Sequence, residues 1–467
     1  MSLYHPHSLA AFLLGLAYVA IAIAATIHAL LTKPDPRSAL SWMSIAWLIP
    51  FGGPLLYWLF GINRVRRPRV GASWPELTSG AESIGEGSTY RPDLARVADA
   101  LTGRPLAHGN EVEPLYNGEE AFPRMLRAIE EARSSVWLAT YIFQTDPVGR
   151  QFVQTLAAAN RRGVQVRVLV DGIGEWYDWP HVVPLLRRAG VRTARFLAPR
   201  LFPPNLSLNC RNHRKILVVD GKLGFMGGMN IGGREVGGAG GRRMSDMHFL
   251  LQGPIVLQLA QTFAEDWMFA AQETLTAPAA QPPLGECTCR VITGGPDGDL
   301  DKLLLVMLGA LASARRRVQI MTPYFIPPPE LVASLEATAL RGVDVSLVLP
   351  ERSNLRYVDW AAQHWLPALI ARGVRVHLQK PPFSHAKLFV VDGEYAHIGS
   401  VNVDTRSLRL NFEITVEVYG AAFCGQLSAL IGRHEQVSPS LTQQTLPDRS
   451  SVQRVRDALC WLVSPYL

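Results

Sequence analysis

His213-Arg214-Lys215-Ile216-Leu217-Val218-Val219-Asp220 and His385-Ala386-Lys387-Leu388-Phe389-Val390-Val391-Asp392 are two copies of one pattern, His-x-Lys followed by an apolar run and Asp. Each copy leads into a small-residue turn that ends in Asn: Gly227-Gly228-Met229-Asn230 and Gly399-Ser400-Val401-Asn402. The β-branched runs between Lys and Asp read as buried strands. Residues two apart on a strand share a face, so His213 and Lys215 point one way, as do His385 and Lys387. Two imidazoles, two ammonium groups and two amides converging on one anion are equipment for attacking a phosphodiester. One octapeptide of this kind arises by chance; two with the same downstream Asn do not.

The surrounding chain extends the pattern. Arg211-Asn212 precedes the first copy, and the second continues as Val403-Asp404-Thr405-Arg406-Ser407 and then Asn411-Phe412-Glu413. These residues resemble the phospholipase D superfamily, and within it the cardiolipin synthase branch of bacterial phosphatidyltransferases.

Composition sets the bounds. A chain of 467 residues exceeds one ordinary core, so two or three domains are expected. A net charge of +7 favours an acidic partner, either nucleic acid or an anionic membrane surface. Five cysteines in so long a chain do not suggest a disulfide framework, and the Cys287-Thr288-Cys289 pair lacks the further ligands of a zinc site. No metal and no cofactor are expected.

Residues 8–31 carry no formal charge and are long enough, as a helix, to cross a hydrocarbon core of ~30 Å. A second uncharged run, 39–62, follows a short polar turn. Pro50, Gly52, Gly53 and Pro54 interrupt it, so it kinks, re-enters or completes a spanning hairpin, the preferred reading. The cluster Arg64, Arg66, Arg67 and Arg69 exceeds Lys33 and Arg37 in the turn, which places the large C-terminal part in the cytoplasm with the N-terminus on the same side. The same arginines are expected to meet anionic headgroups. The protein is thus read as a multi-pass inner (plasma) membrane protein.

Beyond a linker at 70–110, helix, strand, helix, Arg-Gly-Val and strand recur in order, through Arg162-Gly163-Val164 and again through Arg341-Gly342-Val343. This implies α/β architecture: two duplicated phospholipase D-like units, 111–276 and 291–467, joined by a Pro-rich linker at 277–290 and sharing one active site. The N-terminal anchor, residues 1–69, precedes them as a helical hairpin. Strands alternating with helices predict mostly parallel sheets covered on both faces.

The chemistry follows from the residue types. A neutral imidazole attacks phosphorus while a second, protonated one donates to the leaving oxygen. The candidate catalytic set is His213, Lys215, Asp220, His385, Lys387 and Asp392. The two aspartates are counted as motif members, although their seven-residue offset puts them on the opposite strand face, where a turn or ion-pair role is expected. Asn230, Asn402 and Ser400 are candidate phosphate ligands; Ser400 serves equally as a turn cap. The resemblance implies that Asp246 and Glu413 orient the histidines and that His213 is the nucleophile. Tyr141 and Tyr324 hold equivalent places in the repeats and are core aromatics by default, with pocket lining as the alternative. The aromatic and Pro-rich segments 175–180, 201–204 and 381–383 read as loops flanking the active face; loop packing is the favoured role, insertion among headgroups the other.

The implied activity is that of a cardiolipin synthase: phosphatidylglycerol loses glycerol to form a phosphohistidine enzyme, and a second phosphatidylglycerol displaces it. Its expected partners are anionic phospholipids and the membrane. A membrane-bound phospholipase D is the alternative. A nucleic-acid phosphodiesterase shares the chemistry, but the apolar N-terminus argues against it. A non-catalytic scaffold would need a degenerate motif, and neither copy is degenerate.

Overall fold

The computed structural model describes residues 6–33, 35–62, 64, 65, 67, 74, 92–199, 210–237, 244–446 and 448–463. Arg66, Arg69, most of the 70–110 linker ahead of residue 92, the 201–204 segment and residues 238–243, the end of a Gly-rich stretch (232–243) between Asn230 and Asp246, lie outside the described residues. The chain divides into two compact units, one of residues 1–66 with 198–208, the other of 67–197 with 209–467.

In the first unit, helix Pro6–Thr32 turns long apolar side chains such as Leu13, Leu14, Leu16 and Ile23 outward. Its stretch Leu9–Thr32 is long and apolar enough to cross a membrane. The second apolar run is not one helix. Helix Pro36–Leu48 has 13 residues, about 20 Å at the helical rise, and then the chain reverses at Pro50 and Phe51. The short turns Gly52–Leu56 and Tyr57–Gly61 bring it back. Contacts to the first helix record the excursion. Trp47 Nε1 donates to Thr26 and the Tyr18 hydroxyl to Trp47 O at 2.6 Å, whereas Tyr57 meets His28 and Lys33 donates to Gly61 O. The run therefore descends alongside the first helix and returns to the level where it began. Gly53 permits the reversal, since a Cβ there would lie 2.0 Å from Ile45 O. The expected pair of antiparallel apolar segments is present, but only the first has spanning length.

The second unit is built on one fifteen-stranded sheet. We number its strands β1 (Ala107–Tyr116), β2 (Ser135–Thr140), β3 (Gln165–Asp171), β4 (Arg192–Phe196), β5 (Ile216–Val219), β6 (Leu223–Gly227), β7 (Met247–Gln252), β8 (Cys287–Gly294), β9 (Arg317–Met321), β10 (Asp344–Pro350), β11 (Arg375–Gln379), β12 (Leu388–Val391), β13 (Tyr395–Gly399), β14 (Glu413–Tyr419) and β15 (Ser440–Leu441). The first half runs β1-β7-β6-β5-β2-β3-β4 and the second β8-β14-β13-β12-β9-β10-β11, the same order twice. Antiparallel pairing of β1 with β8 joins them.

The expectation of mostly parallel sheets is corrected. Within the described fifteen-stranded sheet only β2-β3-β4 and β9-β10-β11 are parallel; the inner strands are antiparallel. The reason lies at the end of each motif. Asp220-Gly221 and Asp392-Gly393 sit at positive φ, and Lys222 N–H closes onto Val219 O as Glu394 N–H does onto Val391 O. Asp-Gly between apolar runs is a hairpin turn matched to the strand twist, so each motif strand doubles back instead of crossing over. Each aspartate carboxylate also accepts backbone N–H groups from the neighbouring turn, Arg133 to Ser135 for Asp220 and Arg315 to Arg317 for Asp392.

Two apolar cores flank the two halves. Helix Pro92–Thr102, which the sequence assigns to the linker, contributes Leu94, Ala95 and Ala98 to the core of the second repeat. All five cysteines are free.

Arg67, expected among lipid headgroups, is buried in ion pairs with Asp266, Asp297 and Asp299 at 2.8, 2.7 and 2.9 Å, and its guanidinium lies over the Phe412 ring. Arg214 Nη1 also donates to both carboxylate oxygens of Asp266, at 2.7 and 2.8 Å, while its Nε and Nη2 donate to Glu413 O and Gly294 O. Asp266 is thus the shared counter-charge of two buried arginines far apart in the chain. Asp266→Ala takes the carboxylate from Arg214 and one of three from Arg67. It is expected to lower unfolding stability by about 3–5 kcal/mol in chemical denaturation, whereas Arg124→Ala, which breaks an exposed pair with Glu113, changes it by less than about 1 kcal/mol.

Candidate active site

The two candidate histidines stand just before their motif strands, in extended segments that leave their own ladders and cross to the opposite repeat. Asn212, ahead of His213, bridges Phe412, ahead of Glu413. Ser384, ahead of His385, pairs with Ser245, ahead of Asp246. His213 N–H donates to Phe412 O and His385 N–H to Ser245 O. The acids consequently serve crosswise. His213 Nδ1 meets the Glu413 carboxylate at 3.0 Å, and His385 Nδ1 meets Asp246 Oδ2 at 2.8 Å. A carboxylate on Nδ1–H fixes the tautomer and leaves the lone pair on Nε2.

Both imidazoles line one cavity of about 460 Å³, together with Asn230 and Glu235 from the first repeat and Asn402 and Asn411 from the second. Lys215 and Lys387 are buried behind this wall, each donating to the carbonyl of its own histidine, at 2.8 Å for Lys215. Asn230 accepts the Ile142 N–H through Oδ1, which turns its amide N–H₂ the other way. Asn402 is buried and its Oδ1 has no hydrogen-bond partner.

Three sequence assignments change. Asp220 and Asp392 do not line the cavity; their carboxylates tie the hairpin corner to the adjacent strand, the structural role their offset implied. Ser400 is fully buried and its hydroxyl donates to Glu413 while accepting the Ile414 N–H, so it positions the acid instead of contacting a phosphate. Gly228 is the equivalent residue, where a Cβ would lie 2.5 Å from Asp246 Oδ1; the shorter acid leaves no room for a side chain. Tyr141 and Tyr324 are cavity-lining after all, set edge-on to His213 and His385 with ring centroids 5.2 and 6.0 Å apart. In the 175–180 loop, Glu175 is buried against Arg195, whereas Trp176, Tyr177 and Trp179 are exposed and Tyr177 reaches the cavity. Phe383 packs on Tyr324 and His385.

Sequence reasoning gave no site role to Arg211, Asp404, Arg406 and Ser407, which it quoted only for the resemblance, and passed over Arg234 and Glu235; all six line the cavity. The signal was present. Counting from each motif Asn, Arg234-Glu235 and Arg406-Ser407 occupy the same offset in the two repeats.

Burial governs the electrostatics. It lowers both histidines, His385 to about 4, and lowers Lys215 to about 7 and Lys387 to about 8, with mutual repulsion of the ammonium groups adding to the effect. Burial alone would raise the acids. Glu413 is nevertheless held below its ordinary value by His213 and Lys215, and Asp246 by Lys387 and His385. A phosphodiester in the cavity would favour the ammonium forms that burial discourages on the lysines.

Similarity to known proteins extends over nearly the whole chain. A family profile described as "Cardiolipin synthase, PLD-like domain" matches residues 125–267 and 307–434, and one described as "Phospholipase_D-nuclease N-terminal" matches 20–61. A cardiolipin synthase A of Pseudomonas putida is 33% identical over 488 aligned residues, covering 99% of each chain. A cardiolipin synthase of Geobacillus kaustophilus (strain HTA426) is 34% identical, covering 87% of this chain and 85% of its own. Among solved structures, a phosphatidylserine synthase of Haemophilus influenzae Rd KW20 superposes with a TM-score of 0.61 at 15% identity, over 80% of this chain and all of its own, a likeness of fold.

The lysine shifts set a pH dependence. Anion binding favours the ammonium form, so affinity is full below the free-site values and is lost as pH rises through about 7 and about 8. The inhibition constant of bis(nitrophenyl) phosphate, measured from pH 6 to pH 9, should rise by up to ~10-fold per pH unit for each lysine that deprotonates. A constant that stays flat across this range would contradict the assignment of charge.

Proposed function

Because the chain belongs to the cardiolipin synthase family of phospholipase D-like proteins, we propose that it joins two phosphatidylglycerol molecules through a phosphohistidine intermediate. One observation carries this reading: two imidazoles, each held on Nδ1 by the other repeat's carboxylate, border one cavity.

His213 Nε2 attacks phosphorus and the bond to the headgroup glycerol breaks, its oxygen taking a proton from His385. A phosphodiester anion between the imidazoles raises the proton affinity of His385 above its empty-site value, which makes it competent as the acid. In the second half, His385 takes the proton from a hydroxyl of another phosphatidylglycerol, that oxygen bonds to phosphorus, and the bond to His213 breaks. Lys215 and Lys387 keep further N–H groups for the nonbridging oxygens, and the Asn230 amide supplies another donor. Lysines meeting the developing charge take the part a cation plays in other phosphoryl-transfer sites.

With phosphatidylglycerol as the sole lipid in detergent micelles, the purified protein should yield cardiolipin and free glycerol, identified by mass spectrometry. His213→Ala and His385→Ala should each abolish turnover. Lys215→Ala or Lys387→Ala should cost about 3 kcal/mol in the transition state, a loss of two orders of magnitude or more. Phosphatidic acid as the dominant product at every lipid density would make the protein a phospholipase D instead.

The first unit bears on topology. One spanning helix followed by a segment that descends and returns puts Lys33, Arg37 and Arg64 at the same end, with no Lys or Arg ahead of residue 33. The positive-inside bias then places that end, and the following catalytic body, in the cytoplasm of the inner membrane, with residue 1 on the far side. An epitope fused ahead of Met1 should be cleaved by protease added to intact spheroplasts; protection of that epitope with exposure of the C-terminus would reverse the assignment.

A further inference from the structure

Among the cavity groups that the two-histidine cycle leaves unused, Glu235 combines burial with an unpartnered oxygen. This residue closes a short turn, Gly233–Glu235, five positions after Asn230. It is 4% exposed and lines the cavity. Its Oε1 accepts the Asn230 backbone N–H at 3.3 Å, while Oε2 is buried with no hydrogen-bond partner. A buried oxygen without a partner is costly, and such an atom at a binding cavity marks a place for a ligand group.

A phosphate oxygen would use only part of what this group offers, because it accepts hydrogen bonds and cannot donate them. Burial, followed by the nearby charge of Asp246, pushes Glu235 up to about 8, so at neutral pH it is a neutral acid. A neutral carboxyl both donates through O–H and accepts, which is the complement of an alcohol.

Its position also has a side. Asp246 is the largest charge acting on Glu235, and Lys387 is the next; Asp246 is the residue that holds His385. Glu235 therefore belongs to the half of the cavity in which His385 hands a proton to the departing alcohol and takes one from the arriving alcohol. The other half differs. At the same offset from Asn402 stands Ser407, whose N–H and hydroxyl are turned to Asp404. Histidine, lysine, asparagine and acid repeat in both halves, but this position does not.

We propose that Glu235 is the hydroxyl-recognition group of the cavity, its free Oε2 holding the headgroup hydroxyl next to the ester oxygen that leaves or arrives. The inference rests on the phosphatidyltransferase reading and narrows it to alcohols with a second hydroxyl, of which glycerol is the simplest bearer on a phosphatidylglycerol headgroup.

The test is a competition between acceptors. Full-length protein in detergent micelles receives cardiolipin as donor, with deuterated glycerol and 1-propanol at equal concentration; labelled phosphatidylglycerol and phosphatidylpropanol are counted by mass spectrometry. Wild type should favour glycerol. Glu235→Ala should lower the glycerol-to-propanol product ratio about tenfold or more, with the propanol rate kept within a few-fold. Glu235→Gln, of the same size and still able to hydrogen-bond, should retain part of the preference, and it carries the test if the alanine variant fails to fold. An unchanged ratio in both variants, or a parallel loss of both products, overturns the inference and leaves the transferase reading standing. A wild type that makes phosphatidic acid and neither alcohol product overturns that reading, and the inference with it.

Discussion

Each imidazole of the cavity is held by a carboxylate that arrives from the other repeat, His213 by Glu413 and His385 by Asp246. Neither repeat can present a correctly protonated histidine by itself. A hydrogen bond near 3 Å tolerates little displacement, so the two halves must hold a common register. Three features of the fold maintain it: the β1–β8 pairing that makes one sheet of two, the reciprocal bridges ahead of each acid, and Arg214. Arg214 follows His213 directly and donates to the backbone of Glu413, so the motif's unconstrained second position is here a clamp on the partner acid. Ala386, its counterpart, clamps nothing; the asymmetry places the heavier buried ion network on the His213 side.

That network cancels within itself, arginines against acids, so the net charge of +7 is carried by other residues. Arg67, Arg214 and Arg290 have their guanidinium groups buried against Asp266, Asp297, Asp299 and Glu417. They are cores of ion pairs and add little to the field felt by a lipid surface. Arg67 joins the catalytic unit directly after the N-terminal unit, so the chain enters its catalytic fold at a residue lying over Phe412, beside the acid that holds His213.

The parts legible in the sequence were those that repeat or have a period. The motif strands, the duplicated order of elements and the membrane-length first helix are all local patterns. The crossed assignment of acids to histidines was not legible, because a motif read along the chain cannot show which repeat it serves. Tyr141 and Tyr324 look like any buried aromatic until the cavity is seen beside them. One signal went unread. Asp-Gly after each apolar run marks a hairpin, and it would have replaced the parallel sheet with the mixed one observed. The interruptions at Pro50 and Gly53 were read, but the spanning hairpin was preferred to the re-entry they mark. Ser400 was ambiguous for a different reason: its partner depends on whether the facing acid is Asp or Glu, a side-chain length settled thirteen residues away.

The near-symmetry of the cavity suits a reaction whose reverse resembles its forward course. Exchanging one phosphodiester for another conserves bond type, so the groups that meet the phosphate have no need to distinguish substrate from product, and duplication supplies them twice. The alcohols, however, must be told apart from water, which is always present at higher concentration. A duplicated donor set cannot do this, because water is satisfied by the same donors. Discrimination has to come from positions where the two halves differ, and along the cavity wall Glu235, with Ser407 at the same offset in the other repeat, is such a difference. Evolution of selectivity in a duplicated site is thus constrained to break the repeat beside the machinery while leaving the crossed histidine–acid pairs intact.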